Sequence, residues 1–340
     1  MHMNYLRLPH QTATDSLPLA GIRLDDLDVG RIEAHMQEAL RRGRYHDQPD
    51  PLHYLMLRHG AVHVPDQRDP VPTLAGMLMF GRALHQVIPY ATVDIGHFLG
   101  TMALSTEVVH IEKQMAGTLP EQIDKAERYL WTNTHHGFRL GDGAQRIEEH
   151  EYPRSVIREL TVNALAHRDY TIGQVTRMSL FRDRIEWDSP GRLPEGVTVE
   201  TIRQMQKPRN PSLLLLLYDV GYVESFGMGW DTVFQTLHDE ELPNPRLQET
   251  PTSFVVTVYG RPRGGFNESL PLDLSEPQVQ IYELIVNRGS MTRSDIEAAV
   301  SERSLRSVQR DLQVLVERGF VITSGATRSL RYHPADLKSR

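Results

Sequence analysis

The spacing of apolar residues along the chain predicts where its helices and strands lie. Segments with helical spacing are 28–44, 51–58, 120–133, 153–167 and 199–204, and a very apolar helix follows Asn210. Segments with strand character are 73–81, 91–112, 174–181, 184–187 and 253–259. Helices and strands that alternate in this way favour a mixed α/β layer.

One of these helices carries a polar stripe on an otherwise apolar surface. Glu159, Asn163 and His167 recur at i, i+4 and i+8, which places them on one helix face. Because the rest of the helix is apolar almost all round, we expect it to be buried. Buried carboxylates and amides are costly unless they are paired or bind something. The stripe therefore predicts either a buried hydrogen-bond network or a site where a carboxylate base lies beside an amide ligand for a hard cation.

Composition limits the classes of protein to which the chain can belong. Its 340 residues are enough for two or three domains. It has no cysteine, so disulfides and thiolate metal sites are excluded. The longest aliphatic run, 213–217, is far shorter than the ~20 residues of a membrane span. We therefore expect a cytoplasmic protein with no membrane partner.

Charge is distributed unevenly along the chain. The net charge is -7, but residues 275–340 contain ten Lys and Arg against eight Asp and Glu. A locally basic end on an acidic body is typical of a small DNA-reading module rather than of a generally basic nucleic-acid coat.

The pattern of residues 275–340 predicts a winged helix. Helices are expected at 277–288 and 292–300, and a third is capped by Ser304 and ends at Gly319. In the third helix Leu305, Val308, Leu312 and Leu315 are expected to form the buried stripe. A hairpin at 320–332 would be the wing.

Polar and basic side chains avoid that apolar stripe and are the candidate contacts to double-stranded DNA. They are Arg303, Arg306, Ser307, Gln309, Arg310 and Gln313 on the third helix, with Arg328 and Arg331 on the wing. Such residue types read base edges and phosphates when they lie on a recognition helix. The alternatives are a plain solvated face, an internal ion pair between Arg310 and Asp311, and a module that docks proteins or dimerises.

Several motifs together resemble a known family. Residues 158–170 read Arg-Glu-Leu-Thr-Val-Asn-Ala-Leu-Ala-His-Arg-Asp-Tyr, and Ser-Pro-Gly-Arg-Leu-Pro (189–194), Arg-Asn-Pro (209–211) and Gly-Met-Gly (227–229) follow in order. The Glu-x-x-x-Asn-Ala spacing resembles the N-box of GHKL ATPases. The full set resembles bacterial Schlafen/AlbA-type regulators, often labelled "RecG-related", here without the body of their AlbA-like N-terminal domain.

The resemblance implies a nucleotide site that takes ATP and Mg²⁺. Glu159 would be the base that activates water, and Asn163 would be the magnesium ligand. Asp188 would read the adenine amino group, Gly191 would follow it, and Gly227 and Gly229 would face phosphate. The alternatives are a simple turn at Gly191, an unliganded helix start at Gly227 and Gly229, and a plain N-cap at Asn210.

The expected fold is α+β, with a GHKL-like α/β sandwich and a C-terminal winged helix-turn-helix. The predicted segments are an N-terminal helical part (1–70), a middle α/β region (71–148), the GHKL-like domain (149–262), a linker (263–274) and the winged helix (275–340). The chain has no Gly-x-x-x-x-Gly-Lys-Ser/Thr phosphate loop, on which helicase motors depend.

We therefore expect an ATP-binding, DNA-binding transcriptional regulator that acts as a homodimer, with room for weak ATPase activity. One alternative is a non-catalytic dimerisation or docking scaffold with a degenerate nucleotide site. Another is the C-terminal part of a nucleic-acid-processing enzyme.

Overall fold

The chain divides into two compact units, residues 1–261 and 262–340. The computed structural model describes residues 13–101, 108–140, 146–205, 207–224, 229–261, 274–300, 303–325 and 330–335. One hydrophobic core in the first unit includes residues from Leu27 to Val258, so the three segments predicted over 1–262 pack together. The predicted linker, apart from Leu274, lies outside the described residues. Among the described helices, none is long and apolar enough to cross a membrane.

The first unit contains eight described α-helices and ten described strands. The helices are α1 (Val29–Arg41), α2 (Pro51–Leu57), α3 (Leu74–Phe80), α4 (Leu84–Val87), α5 (Leu119–Asn133), α6 (Arg154–Ala166), α7 (Pro211–Asp219) and α8 (Gly229–Asp239). The strands are β1 (Ala61–Val62), β2 (Val71–Pro72), β3 (Val93–Phe98), β4 (Val108–Met115), β5 (His136–Leu140), β6 (Arg146–His150), β7 (Thr176–Leu180), β8 (Arg184–Pro190), β9 (Arg246–Glu249) and β10 (Ser253–Tyr259).

A six-stranded mixed sheet forms the framework of this unit. Its strand order is β4-β3-β7-β8-β10-β9; β3 and β7 are parallel and the other neighbours are antiparallel. Strand alternation turns Met178, Ile185 and Trp187 into the core. Trp187 also donates from Nε1 to Thr161 Oγ1 of α6 at 3.1 Å, so helix and sheet are joined by a buried hydrogen bond. The expected α/β sandwich is confirmed.

Residues 73–81 form a helix and not the predicted strand. Thr73 Oγ1 accepts from the Gly76 backbone N–H at 3.2 Å and caps α3, whose seven residues are all buried. A short run that is apolar at every position has no period by which helix and strand can be distinguished. The strand prediction for residues 73–81 is therefore wrong, because the segment is buried on every side and its spacing could not indicate a helix.

The predicted helix at 199–204 is a set of hydrogen-bonded turns. The Thr201 backbone N–H donates to both the carbonyl and the hydroxyl of Thr198. Threonine hydroxyls that bond the local backbone compete with helix formation.

The second unit is a winged helix, as predicted. Its elements are α9 (Glu276–Arg288), β11 (Met291–Thr292), α10 (Arg293–Ala299), α11 (Leu305–Glu317), β12 (Val321–Ser324) and β13 (Arg331–Pro334). The strands form a sheet in the order β11-β13-β12. Its own core includes Ile281, Ile285, Leu312 and Leu315.

Close backbone packing at Gly76 gives a test of the first unit's core. A Cβ at this position would collide with the backbone carbonyl of Gly60, so Gly76→Ala forces a shift between α3 and that loop. We expect a loss of ~1–3 kcal/mol in the free energy of unfolding, as for other overpacked cores, measured by urea denaturation. The control is Gly30→Ala near the start of α1, where the nearest atom, Asp28 Oδ1, is 3.4 Å away. This control should be neutral or slightly stabilising, and equal losses in both variants would contradict the prediction.

Candidate functional site

The polar stripe on α6 forms part of the wall of a cavity. Glu159 Oε1 accepts a hydrogen bond from Asn163 Nδ2 at 3.1 Å, so the two predicted residues are in direct contact. Pro153 stands before the first turn of the helix, and Ala166 is its last residue. His167, the third member of the stripe, lies just past the helix end and still lines the cavity.

A residue just before α7 hydrogen-bonds the C-terminal end of α6. Asn210 precedes α7 and is buried, but its side chain does not cap α7. Its Nδ2 donates instead to the carbonyls of Ala166 at 2.9 Å and Arg168 at 2.8 Å. Asn210 thus stands at the N-cap position of α7, but the expectation that its side chain caps this helix is wrong. The buried carboxylate of Asp15 accepts from the Leu213 N–H of α7 instead, at 2.9 Å. Asn210 positions the site by closing the carbonyl end of α6.

The cavity has a volume of about 340 Å³ and lies against α6, β8, β10 and the turns at 191–208. This size is at the lower end of the usual range for small-molecule sites. Apolar wall residues include Leu160, Ala164, Trp187, Val197, Ile202, Leu214, Phe254 and Val256. Polar wall residues are Glu159, Asn163, His167, Ser189, Arg192 and Lys207. An apolar chamber with a few converging polar groups is the usual form of such a site.

Gly229 lies against the Glu159–Asn163 pair at the start of α8. A Cβ on this residue would collide with Glu159 Oε1 and come within 3.5 Å of Asn163 Nδ2. A side chain at this position would therefore displace the Glu159 carboxylate from its present place. The start of a helix carries free N–H groups and partial positive charge, which favour a negatively charged group. Gly227, the other predicted phosphate-facing glycine, lies outside the described residues.

Glu159 is held in a surrounding that opposes its ionisation. Burial raises the pKa of its carboxyl above the ordinary value of 4.5, and Glu224 adds repulsion, while the hydrogen bond from Asn163 lowers it. A carboxyl with a raised pKa is better suited to accept a proton near neutral pH than an ordinary surface carboxylate.

The residues that follow the stripe fix the cavity rim. The fully buried Arg168 donates from Nη2 to the Tyr90 carbonyl at 2.6 Å and also contacts the Gln174 carbonyl. Asp169 Oδ2 accepts from Arg209 Nη1 at 3.0 Å, and Arg209 also donates to the Arg192 carbonyl. The motif at 167–170 therefore connects α6 to three loops. Desolvation at the cavity wall and the positive charge of Arg209 lower the pKa of His167 to about 4, although the residue keeps an exposed surface, and the imidazole is neutral at pH 7.

Asp188 does not line the cavity. On β8, Trp187 and Ser189 both hydrogen-bond α6, Ser189 through Oγ to the Ala164 carbonyl at 2.6 Å. Strand alternation places Asp188 on the opposite sheet face, where it pairs with Arg177 of β7 in the antiparallel register. Ser189 therefore lines the cavity and Asp188 does not. Gly191 does line the cavity, with a φ of +111° that favours glycine.

The sequence interpretation missed two cationic wall residues. Arg192 pairs with Glu249 at 3.2 Å, and Lys207 donates from Nζ to the Glu195 carbonyl at 2.9 Å. Arg192 stands inside the Ser-Pro-Gly-Arg-Leu-Pro motif, which could have indicated it. Lys207 lies between recognisable motifs, and only the folding of the turns brings it to the cavity.

The winged helix presents part of the predicted DNA surface. Arg306, Gln309, Arg310 and Gln313 are exposed on α11, and Arg331 is exposed on β13. Gln313 is engaged with Glu317 at 2.8 Å. Arg328 lies outside the described residues.

Arg303 and Ser307 belong to an internal network. Arg303 Nη2 contacts the buried Asp311 at 2.5 Å and Ser307 Oγ at 2.7 Å. The alternative pair between Arg310 and Asp311 is therefore not formed, and Arg310 stays exposed. Leu305, predicted to be part of the buried stripe, is 61% exposed, because the first turn of α11 extends beyond the core.

The raised pKa of Glu159 predicts that this residue costs stability at neutral pH. A carboxyl whose folded-state pKa exceeds its unfolded value stabilises the protein while protonated, and this stability is lost as pH rises through the folded pKa. Glu159→Gln resembles the protonated form and keeps the acceptor for Asn163. We expect its free energy of unfolding to exceed that of the wild type at pH 7.5, with a gap that closes below pH 4.5, measured by urea denaturation. Glu33→Gln, on the exposed face of α1, should show no such gap; a pH-independent difference for Glu159→Gln would refute the assignment.

Comparison with known proteins identifies two segments. Residues 173–258 match the family described as "Putative ATP-dependent DNA helicase recG C-terminal". Residues 269–338 match the family described as "Sugar-specific transcriptional regulator TrmB". No curated protein matches the chain.

One similar solved structure is the DIP2311 protein from Corynebacterium diphtheriae. The identity is 16% and the TM-score 0.59, over 95% of this chain and 64% of that one. This chain therefore spans less than two thirds of the length of that protein, and the likeness concerns the fold alone. The two family matches occur in the order that the sequence motifs predicted: the chain carries a RecG C-terminal-type domain followed by a TrmB-type winged helix.

Proposed function

We propose that the protein is a DNA-binding transcriptional regulator whose winged helix is controlled by an adenine nucleotide bound in the cavity. The observation that carries the proposal is the hydrogen-bonded pair of Glu159 and Asn163, which is held against the start of α8 on the wall of a largely apolar chamber. The match of residues 269–338 to a transcriptional regulator supports DNA binding by the second unit.

The donor set of the cavity fits a magnesium nucleotide in several respects. Asn163 supplies an amide oxygen, a ligand type that Mg²⁺ accepts, and Lys207 supplies positive charge for phosphates. Arg192 is paired with Glu249 and would have to exchange that carboxylate for a phosphate. The described residues hold no group of three or more His, Asp or Glu that could bind a metal by themselves, so phosphate oxygens and water would complete the shell. When bound, the ion would neutralise phosphate charge.

Glu159 would act as a base toward water beside this ligand. The hydrogen bond from Asn163 would orient the carboxyl. Its raised pKa would make it a better proton acceptor near neutral pH. Weak ATPase activity is therefore part of the proposal, although binding alone would be enough for regulation.

One observation favours a second candidate, a scaffold with a degenerate nucleotide site. Among the described residues that line the cavity, Glu159 is the single carboxylate, since Asp188 lies on the other face of the sheet. The Ser189 hydroxyl is left as the group that would meet a base amino group, and it already donates to the Ala164 carbonyl. Its lone pairs remain able to accept from an amino group.

Nucleotide binding can be measured by thermal shift and calorimetry with ATP, ADP or GTP, with and without Mg²⁺. At a ligand concentration of 100 times Kd, the free energy of unfolding should rise by about 2.7 kcal/mol.

Variants of the wall residues test which side chains bind the nucleotide. Asn163→Ala should lose the magnesium-dependent part of the binding, and Ser189→Ala should weaken binding. Asp188→Asn is the matched control one residue away and should bind like the wild type. Glu159→Gln should keep binding and abolish any hydrolysis. Absence of binding by the wild type would leave the scaffold as the function.

DNA recognition can be measured by fluorescence anisotropy on duplexes selected from genomic fragments. Arg306 and Gln309 lie near the start of α11, where base contacts are most common, so each lost contact should cost ~1–3 kcal/mol at the selected site. Arg331→Ala should weaken binding to all DNA sequences and reduce the salt dependence of the binding constant by about one in slope. Arg318→Ala, at the opposite end of α11, is the charge-matched control.

A single module reads a short site, so we propose that the protein binds a two-fold operator as a homodimer. Equal binding by the wild type and Arg306→Ala/Gln309→Ala would indicate that the winged helix docks proteins instead.

A further inference from the structure

A pair of histidines lies away from the cavity, at the open end of the hairpin formed by β5 and β6. His136 and His150 are directly opposite in the antiparallel register. Their Nδ1 atoms are 3.1 Å apart, and His136 is exposed. Directly opposite positions of two strands bring side chains into contact, so the backbone itself sets this approach.

The hydrogen bonds determine where His136 carries its proton. Its Nε2 is 2.7 Å from the Trp131 carbonyl, which can only accept, so Nε2 carries the hydrogen and donates it. Nδ1 of His136 therefore presents a lone pair toward His150. A histidine that donates one ring N–H to a carbonyl and directs its other nitrogen outward has the arrangement typical of metal ligands.

Packing restricts the two rings to this arrangement. The Trp131 ring lies 4.3 Å from the His136 ring and 4.8 Å from the His150 ring, measured between centroids. Arg154, on the other side of the cluster, approaches Trp131 at 5.6 Å, and its charge is paired with Glu127 at 2.8 Å. Arg154 is thus paired with a carboxylate, and Arg261, whose Nε donates to the His150 carbonyl at 3.2 Å, is paired with Glu240 at 2.5 Å.

The separation of the nitrogens suits a common metal ion. Two imidazole nitrogens at ~2.0–2.1 Å from one ion lie about 2.9 Å apart at a right angle and about 3.3 Å apart at the tetrahedral angle. The observed 3.1 Å falls between these values. Imidazole is a preferred ligand of Zn²⁺, Ni²⁺ and Cu²⁺.

We infer that His136 and His150 form a binding site for a divalent transition-metal ion. In the metal-free pair one proton lies between the two Nδ1 atoms, on His150. When both Nδ1 atoms coordinate the ion, this proton leaves His150 and is released to solvent. Within the part of the chain that the structure describes, no group of three His, Asp or Glu side chains could hold a metal, so His136 and His150 are the two protein ligands of this proposal. The site is independent of the cavity and of the proposed nucleotide.

The inference can be tested with the full chain, free of any affinity tag. Titration calorimetry with Zn²⁺ measures affinity, and electron paramagnetic resonance with one equivalent of Cu²⁺ counts the coordinated nitrogens. We expect one strongest site with two imidazole nitrogens. His136→Ala and His150→Ala should each weaken it by more than the roughly 10–100-fold typical for loss of an outer-shell partner.

The matched control is His110→Ala. His110 also faces a histidine across two antiparallel strands, His97, whose Nδ1 is engaged with the Tyr129 hydroxyl at 3.3 Å. This variant should bind like the wild type. Absence of a two-nitrogen site in the wild type would show that the pair is only a structural hydrogen bond and would overturn the inference. The same conclusion would follow if His136→Ala and His150→Ala both bound the metal as tightly as the wild type. Far-ultraviolet circular dichroism of each variant verifies that a loss of binding does not come from unfolding.

Discussion

The candidate site depends on the way in which α6 is bound to its surroundings by buried hydrogen bonds. Trp187 and Ser189 of β8 donate to Thr161 and to the Ala164 carbonyl, and Asn210 donates to the carbonyl that ends the helix. A helix end that is buried without partners would leave several carbonyls unsatisfied, each at a cost of ~1–3 kcal/mol. These three contacts determine the rotation and the end of α6, and so they determine which of its residues face the cavity.

Burial of Glu159 works against the stability of the folded protein at neutral pH. The carboxyl is partly removed from water with one amide hydrogen bond, and its pKa rises. Gly229 lies beside this carboxyl, where a Cβ would meet Glu159 Oε1. Sites that hold a polar group in an unfavourable surrounding usually gain reactivity or affinity in return.

The winged helix also contains a buried carboxylate, but there it is paired with a cation. Asp311 is buried on α11, and Arg303 before the helix neutralises it. Arg306 and Arg310 lie on the exposed face of α11, and Arg310 does not face Asp311 because adjacent residues of a helix do not face each other. Arg303 therefore has an internal role, whereas Arg306 and Arg310 face solvent.

Patterns within single elements were readable in the chain alone. The periodicity of α6 and α11, the cap at Ser304 and the turn at Gly319 arise from neighbouring residues, so their spacing predicts them. Contacts between distant segments were not readable. Which of Asp188 and Ser189 faces the cavity depends on the register of β8 against its neighbours, and Asn210 finds its partners 42 and 44 residues away. Tertiary packing likewise makes residues 73–81 a helix and places Lys207 at the cavity. Burial and long-range hydrogen bonds decide between local alternatives that sequence spacing leaves nearly equal in energy.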